Sequence, residues 1–392
     1  MEKIIIIGGG GTGAALAHDL VLRGYSVTLL EKGGLLSGTT GRHHGLLHSG
    51  ARYAVNDPQA ARECVHENTC LRQIAPDALE QNDGLFVALN AADMDHLPDF
   101  MDACGDCGIQ ILKTPVACAL KIEPRLNPKL RAAVRVPDAT MDAWRLPMHF
   151  FATARANGAR IAPFHEVVGI HQAVNAVTGV QVRDHTEGRE YRLDADLVVN
   201  AGGPWAGKIA SLAGVDIPIQ PGPGVMVGIR GRLTKMVVNR LHPAGEGDIV
   251  VPQRQSTLLG TTLWLAEDPD RVKVPEDHPR RVVALCSELV PDLKNAPRSA
   301  VWWAARPLIA DRAATDAQAI SRTFDCYDHA VRDRLEGFIS IIGGKATTLR
   351  AMAEKTADLV CRKTGRRIAC RTRSTKLLHY RVYFKSRGIS AF

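Results

Sequence analysis

Unbroken apolar runs, alternating stretches and helical stretches divide the chain into recognisable elements. Ile4 to Ile7 are apolar on both faces, as a strand in the middle of a parallel sheet must be. A glycine turn and a helix follow, Gly24 stops the helix, and Val27 to Leu30 form a second strand of the same kind. Two later runs repeat the ending in glycine: DLVVNAGG from Asp196 to Gly203, and a buried strand closed by Gly343 and Gly344. Just before the first of these, Val167 to His171, Val177 to Asp184 and Glu190 to Leu193 are short, alternating and joined by polar turns, which predicts an antiparallel meander.

Helices are predicted from Pro58 to about Ala75 with Asp57 as N-cap, from about Ala92 to Cys107, from Trp144 to Asn157 and from Glu276 to Leu289. Gly84 to Leu89, Ile109 to Leu112 and Ala132 to Val136 read as strands. The Pro/Gly-punctuated stretch from Pro218 to Gly231 is β-rich, as are Asp248 to Pro252 and Ser256 to Thr262. Trp205 begins a helix over the strand before it, and Lys345 opens one that runs to about Lys363.

Within the opening unit, Gly8, Gly10 and Gly13 stand in the G-x-G-x-x-G pattern. The strand before them, the helix after them and the acidic Glu31 at the end of the next strand supply the context that pattern needs. Free amides at the helix start face a pyrophosphate. Glu31 accepts from ribose hydroxyls and would repel the extra phosphate of NADP, which leaves FAD or NAD. The fold class is therefore α/β. A Rossmann-like dinucleotide domain with a parallel sheet and antiparallel meander spans 1–80, 145–215 and 335–370. An interleaved α+β substrate domain with a mainly antiparallel sheet spans 81–144 and 216–334, and 371–392 is a basic tail.

Composition narrows the class further. A hydrophobic share of 45% and a charged share of 23% are those of an ordinary globular protein. The net charge of +8 suits an anionic partner, but aromatics make up only 5% and do not interleave with basic runs, so nucleic acid is not expected. Nine irregularly spaced cysteines point to a reducing compartment. Cys104 and Cys107 form a C-x-x-C without a second pair, which reads as ordinary thiols and not as a metal site. No apolar run approaches a membrane span, so any membrane contact is peripheral.

The segment Gly33 to Tyr53 is too polar and glycine-broken for a core element, and fits a loop laid along a ligand. Ser37, Thr39 and Thr40 offer hydroxyls there, while Arg42, His43, His44, His48 and Arg52 concentrate donors. Ala201 and Gly202 are small enough for close approach to a cofactor, and the Gly343–Gly344 turn with Lys345 offers amides and a cation to an anion. Trp302 and Trp303 read as core or interface aromatics.

Several stretches carry a family resemblance: GGGGTG at Gly8, TGRHHGLLHSGARYAV at Thr40, ARECVHEN at Ala61, VPDATMDAWRL near Asp142, VVNAGGPWA at Val198, RPL at Arg306 and GGKATTLR at Gly343. The chain resembles the D-amino-acid-oxidase-like FAD enzymes, and within them the flavin subunits of anaerobic glycerol-3-phosphate dehydrogenases, from its first residues to about Cys370. The resemblance implies FAD contacts from Gly8, Gly10, Thr12, Gly13, Glu31 and Lys32, from Thr39, Thr40, Arg42, His44 and Gly45, and from Val167, Ala201, Gly202 and Trp205. Gly344, Lys345, Ala346 and Thr347 complete that set.

It also implies oxidation of sn-glycerol 3-phosphate to dihydroxyacetone phosphate, with electrons passed to quinone through partner subunits of a membrane-associated complex. Such a protein is cytoplasmic, with peripheral seating on the inner membrane face. The long form of these subunits continues into a cysteine-rich domain, where this sequence has only its basic tail. Arg52, Arg306 and Arg322 match the basic positions expected to grip a phosphate dianion, because arginine offers planar bidentate contacts. Tyr53 adds a hydroxyl, and Lys345 faces the pyrimidine edge of the flavin. His48 has two readings of equal weight: base for the substrate hydroxyl, or hydrogen-bond partner of the cofactor loop. Two other functions stay open on the residues alone, a 2-hydroxy-acid or amino-acid oxidase of the same fold and a flavin-holding structural subunit.

Overall fold

The computed structural model describes residues 1–243, 245, 247–310 and 323–385. Strand Lys3–Ile7 lies inside a six-stranded sheet, ordered from one edge as Phe324–Asp328, Phe338–Gly343, Leu197–Asn200, Lys3–Ile7, Ser26–Glu31 and Arg160–Pro163. Ile6 stands opposite Val199 on one side and Leu29 on the other, both in parallel register. Every pairing is parallel except the first, where Phe324–Asp328 runs antiparallel to its neighbour. Ile7, Glu31, Asn200 and Gly343 therefore finish at one edge of the sheet. Strand order reverses at Lys3–Ile7, and such a reversal opens a crevice beyond the carboxyl ends.

Both faces of this sheet are covered, which is why its strands are apolar throughout. Helices Gly11–Leu22, Arg145–Ala156 and Leu349–Lys363 pack Leu16, Leu20, Phe150, Phe151 and Ala357 onto one face. On the other, the meander His165–Ala173, Ala176–Asp184, Arg189–Asp194 sets Val180 and Val182 against Ile5, Val198 and Phe338. Each Val, Leu, Ile or Phe among these contributes roughly 1.5–3 kcal/mol on burial. Gly13 is required where helix crosses strand, because a Cβ there would sit 2.0 Å from the Gly8 carbonyl oxygen. Behind the helices, Arg350 forms a buried bidentate pair with Glu67, tying Leu349–Lys363 to the helix Pro58–Ile74.

An eight-stranded sheet forms the second layer, ordered Arg298–Ile309, Ile219–Arg230, Ser256–Gly260, Ile249–Gln253, Val237–Arg240, Gly84–Ala88, Ala132–Val136, Leu112–Thr114. Only the contact between Val237–Arg240 and Gly84–Ala88 is parallel. The helix His278–Leu289 covers it with Val282, Cys286 and Leu289 against Val225, Val227 and Leu259. A small sheet of Leu46–Leu47, Ala139–Met141 and Leu79–Glu80 joins the two layers.

Several expectations need correction. The helix expected over 92–107 is two helices, Ala91–Asp95 and Leu97–Asp106, because Pro98 sits in the first turn of the second and starts it afresh. The strand expected at Ile109 to Leu112 lies at Leu112–Thr114, since Ile109 is drawn into the apolar cluster of Phe86 and Phe100. Gly203–Trp205 and Ala346–Thr348 are single 3-10 turns, so the helices expected at Trp205 and Lys345 begin at Ala206 and Leu349. A nucleotide segment starting at 335 is late, because Phe324–Asp328 is already an edge of that sheet.

The basic segment after Cys370 is docked through residue 385. Arg373 bonds Glu354, the Leu377 amide bonds Ile74, the Leu378 amide bonds Thr153, and Tyr383 packs on Phe151. Cys104 and Cys107 are buried thiols, and burial pushes Cys104 up to about 12. No helix among the described residues is long and apolar enough to cross a membrane.

Candidate active site

A cavity of about 1540 Å³ follows the carboxyl edge of the six-stranded sheet. Its wall runs from Glu31 past Gly8 and Ala201 to Gly343, three inter-strand steps or about 14 Å at the usual spacing. At one end Glu31 accepts from the amides of Gly9 (2.7 Å) and Gly33 (2.8 Å). Val167, Lys32 and Trp205 line the same end, with the Lys32 ammonium 4.8 Å from the Trp205 ring centroid. Trp205 is fixed in turn by its indole N–H, which donates to Asp270 at 2.7 Å.

In the middle, the helix Gly11–Leu22 points its first turn at the cavity with no side-chain cap. Its N-terminal partial charge and amides form an anion cradle. Thr40 closes the cradle from above, its Oγ1 accepting from the Gly11 amide at 2.9 Å. Thr39 ties this loop to the second sheet by donating to the Ala305 carbonyl at 2.5 Å.

The far end gathers the titratable groups. His43, His44 and His48 all line it, and burial pushes each imidazole below its ordinary range: His43 to about 4, His44 to about 3, His48 well below its usual value. For His48 the next causes are His44, Arg52 and Lys345, and for His44 they are His43, Arg306 and Arg52. The three rings are therefore neutral near pH 7. His43 and His44 accept from the amides of Gly45 and Leu46 at Nδ1, so each carries its proton on Nε2. His48 lies 5.2 Å ring to ring from Tyr53, whose ring also sits 5.0 Å below the Lys345 ammonium.

Two arginines reach this end from different elements. Arg52 leaves the turn Ala51–Tyr53 and donates to Asp248 (2.6 Å) and to the Gly245 carbonyl (2.7 Å). Arg306, on strand Arg298–Ile309, donates to the carbonyls of Gly222 (3.2 Å) and Thr262 (3.3 Å) and to Thr261 Oγ1 (3.2 Å). Together with Lys345 they line one cavity, close enough to the histidines to act on them: Arg306 and Arg52 on His44, Arg52 and Lys345 on His48.

Gly8, Gly10, Thr12, Thr39, Thr40, Arg42, Ala201, Gly202, Gly344 and Ala346 also stand in the cavity wall, as do Glu31, Lys32, His44, His48, Val167 and Trp205. Gly13, Gly45 and Thr347 stand behind it. Gly13 packs on Gly8, Gly45 takes φ +82° against Met141 and Gln253, and fully buried Thr347 accepts from the His48 amide at 3.1 Å. Arg322 lies outside the described residues. Sequence reasoning passed over Asp248, Asp270, Thr261 and Ile249, which carry no periodic or motif signal and arrive only through folding, and it read Trp303 as a core or interface aromatic where the structure sets it in the cavity wall. A Ser340–His329–Asp333 hydrogen-bonded series resembles a hydrolase triad, yet Ser340 and His329 are fully buried and stand off the cavity. It serves structure: Asn200 bonds Ser340 and also holds the Gly202 amide at the cavity wall.

The family model of FAD dependent oxidoreductases (DAO) matches residues 3–359. The chain belongs to this family, and FAD is its cofactor. It is 41% identical over 387 residues to an anaerobic glycerol-3-phosphate dehydrogenase subunit of Haloferax volcanii, covering 94% of this chain and 65% of that protein. It is 39% identical to the corresponding subunit of the Escherichia coli K12 enzyme, covering 95% of this chain and 69% of the relative. The chain thus spans about two thirds of the length of these relatives. Among solved structures, the glycerol-3-phosphate dehydrogenase of Bacillus halodurans complexed with FAD aligns with TM-score 0.74 at 22% identity, covering 96% of this chain and 68% of that one. Glycine oxidase of Geobacillus kaustophilus aligns with TM-score 0.73 at 21% identity over 96% and 99% of the two chains.

The residues fit FAD. The helix start, where Gly10 provides no side-chain cap, would face the pyrophosphate, Gly8 leaves out a Cβ that would meet the Ala201 carbonyl at 2.5 Å, and Glu31 keeps acceptor capacity for ribose beyond its two amide contacts. The isoalloxazine would then rest against Gly344, Lys345 and Ala346.

Proposed function

We propose that this flavoprotein oxidises sn-glycerol 3-phosphate to dihydroxyacetone phosphate, passing electrons to quinone through partner subunits. The observation that carries the reading is the convergence of Arg52, Arg306 and Lys345 on the chamber beside His48. Neutral glycerol needs no such charge, whereas a phosphate dianion does. The names of the relatives at 39–41% identity point to the same substrate.

When bound, FAD supplies the acceptor for the hydride leaving the alcohol carbon. The chain does the rest. The arginines clamp the phosphate and so fix the carbinol carbon in one orientation, which is worth more than proximity alone. His48, neutral because buried among cations, has a ring nitrogen able to take the hydroxyl proton as the carbonyl forms. The cations that keep it neutral oppose its protonation, so it hands the proton on readily. Thr347 fixes the His48 backbone, and Tyr53 packs beside the ring. Lys345 presents positive charge at the Gly344 turn, where the ring system would lie.

We place the protein in the cytoplasm, peripheral to the inner membrane face. From Arg362 to Lys385 the sequence holds nine Lys or Arg and no Asp or Glu, which suits an anionic surface. The activity is tested by turnover with an artificial electron acceptor and identification of the product. Dihydroxyacetone phosphate from glycerol 3-phosphate is expected, and a 2-oxo acid from a hydroxy or amino acid would replace this reading.

A further inference from the structure

We propose that Asp248 is a positioning residue for Arg52, so that this carboxylate, just before strand Ile249–Gln253, sets the direction from which the anionic substrate is gripped. The inference rests on the reading that Arg52 contacts substrate. Arg52 starts from a rigid base: Gly50, just before its turn, has φ +102° and no room for a Cβ, which would meet the Ala61 carbonyl oxygen at 2.4 Å. Its far end is held by the second sheet. Nη2 donates to both Asp248 Oδ1 and the Gly245 carbonyl, and Nη1 lies 3.5 Å from Asn239 Oδ1.

Asp248 is itself fixed. It is 2% exposed, and His242 Nε2 occupies its other oxygen. Burial opposes its charge, yet Arg52 and His242 hold its carboxyl at about 2, so it is ionised throughout the working range. Arg52, Gly245 and Ile249 all face the cavity, which puts this clamp in the wall of the chamber and not in remote core. Asp248 also offsets part of the charge of Arg52, whose remaining field still reaches His44 and His48. Arg52 thereby contributes through the aim of its N–H donors as well as through its charge.

That consequence separates positioning from simple electrostatics. By charge alone, a carboxylate beside an anion site weakens binding, and Asp248→Asn should improve the Michaelis constant for glycerol 3-phosphate. Positioning predicts the reverse. A misplaced guanidinium costs about tenfold to 100-fold in kcat/KM.

The experiment compares FAD-loaded wild type, Asp248→Asn, Arg52→Gln and the double variant on glycerol 3-phosphate, with flavin content and Tm recorded for each. We expect Asp248→Asn to lose about tenfold or more in kcat/KM, and to add less than about twofold in the Arg52→Gln background, since its effect passes through Arg52. A rise in kcat/KM for Asp248→Asn, or losses that multiply in the double variant, would overturn the inference. If Asp248→Asn does not load FAD, His242→Ala replaces it. A fall in kcat/KM at unchanged Tm then supports the clamp, and an unchanged value overturns it. Wild type that turns over no glycerol 3-phosphate at all brings down the underlying reading with the inference, a result distinct from these.

Discussion

Replacing Arg306 by Ala isolates the phosphate grip from the rest of the catalytic apparatus. The guanidinium donates at 3.2–3.3 Å to the Gly222 carbonyl on strand Ile219–Arg230 and to the Thr262 carbonyl and Thr261 hydroxyl just past Ser256–Gly260, among its contacts, and its own strand stays paired along Ile219–Arg230 without it. Truncation therefore leaves the backbone intact and exposes the freed acceptors to cavity water, so stability should change by less than about 1 kcal/mol. The substrate loses charge-assisted hydrogen bonds of roughly 1.5–3 kcal/mol each. With a bidentate pair lost and the other cations still present, a net penalty of about 3 kcal/mol corresponds to a fall of roughly 100-fold in kcat/KM. Arg306→Lys should recover part of this, since it restores charge but not the fork. The assay is steady-state oxidation of glycerol 3-phosphate and of glycerol, with flavin content measured in parallel. A loss confined to the phosphorylated substrate at normal flavin content agrees with the reasoning. Equal losses on both substrates would refute it.

Three further outcomes follow from the same geometry. Gly13→Ala places a Cβ 2.0 Å from a backbone oxygen that cannot yield, and should cost about 1–3 kcal/mol or more together with FAD retention; Gly34→Ala, with nothing within 4 Å, should be silent in the same thermal and flavin-release assays. The acid limb of kcat/KM should fall well below 6.5, because burial and neighbouring cations depress His48, and Lys345→Met should move it upward on whatever activity remains; a limb near 6.5 in wild type would remove His48 from the role of base. Asp138, raised by burial from 3.8 to about 6, contributes stability below pH 3.8 that is lost as pH rises through 6, roughly 3 kcal/mol in all. Asp138→Asn keeps an acceptor for the Ser49 amide and should raise Tm at pH 8 while leaving it unchanged near pH 4; an equal shift at both pH values would contradict this.

The nucleotide half of the molecule was legible because its rules are local. Strand, glycine turn, helix and acidic residue lie within thirty positions, and Gly8 and Gly13 each answer to a backbone contact a Cβ would spoil. The meander was legible for the same reason, its alternation matching a sheet with one covered face. The second sheet was less so. Ile219–Arg230 is a single twelve-residue strand despite Pro221 and Pro223, and its long partner Arg298–Ile309 shows no clean alternation because one end packs and the other is exposed. Within the site, Arg52, Arg306 and Lys345 were found through motifs. Asp248 and Asn239 were not, since their meaning lies in a contact with Arg52 made across almost two hundred residues. The docking of residues 371–385 was hidden too, because its anchors are scattered over Ile74, Thr153 and Glu354.

The central claim, that a cationic chamber holds a phosphorylated alcohol for the flavin, is met most directly by anaerobic titration of the purified flavoprotein, following bleaching of its absorbance. About one equivalent of glycerol 3-phosphate should suffice, whereas glycerol, glycine and lactate at the same concentration should leave the colour unchanged. Bleaching by glycine or lactate, with none from glycerol 3-phosphate, would contradict the account.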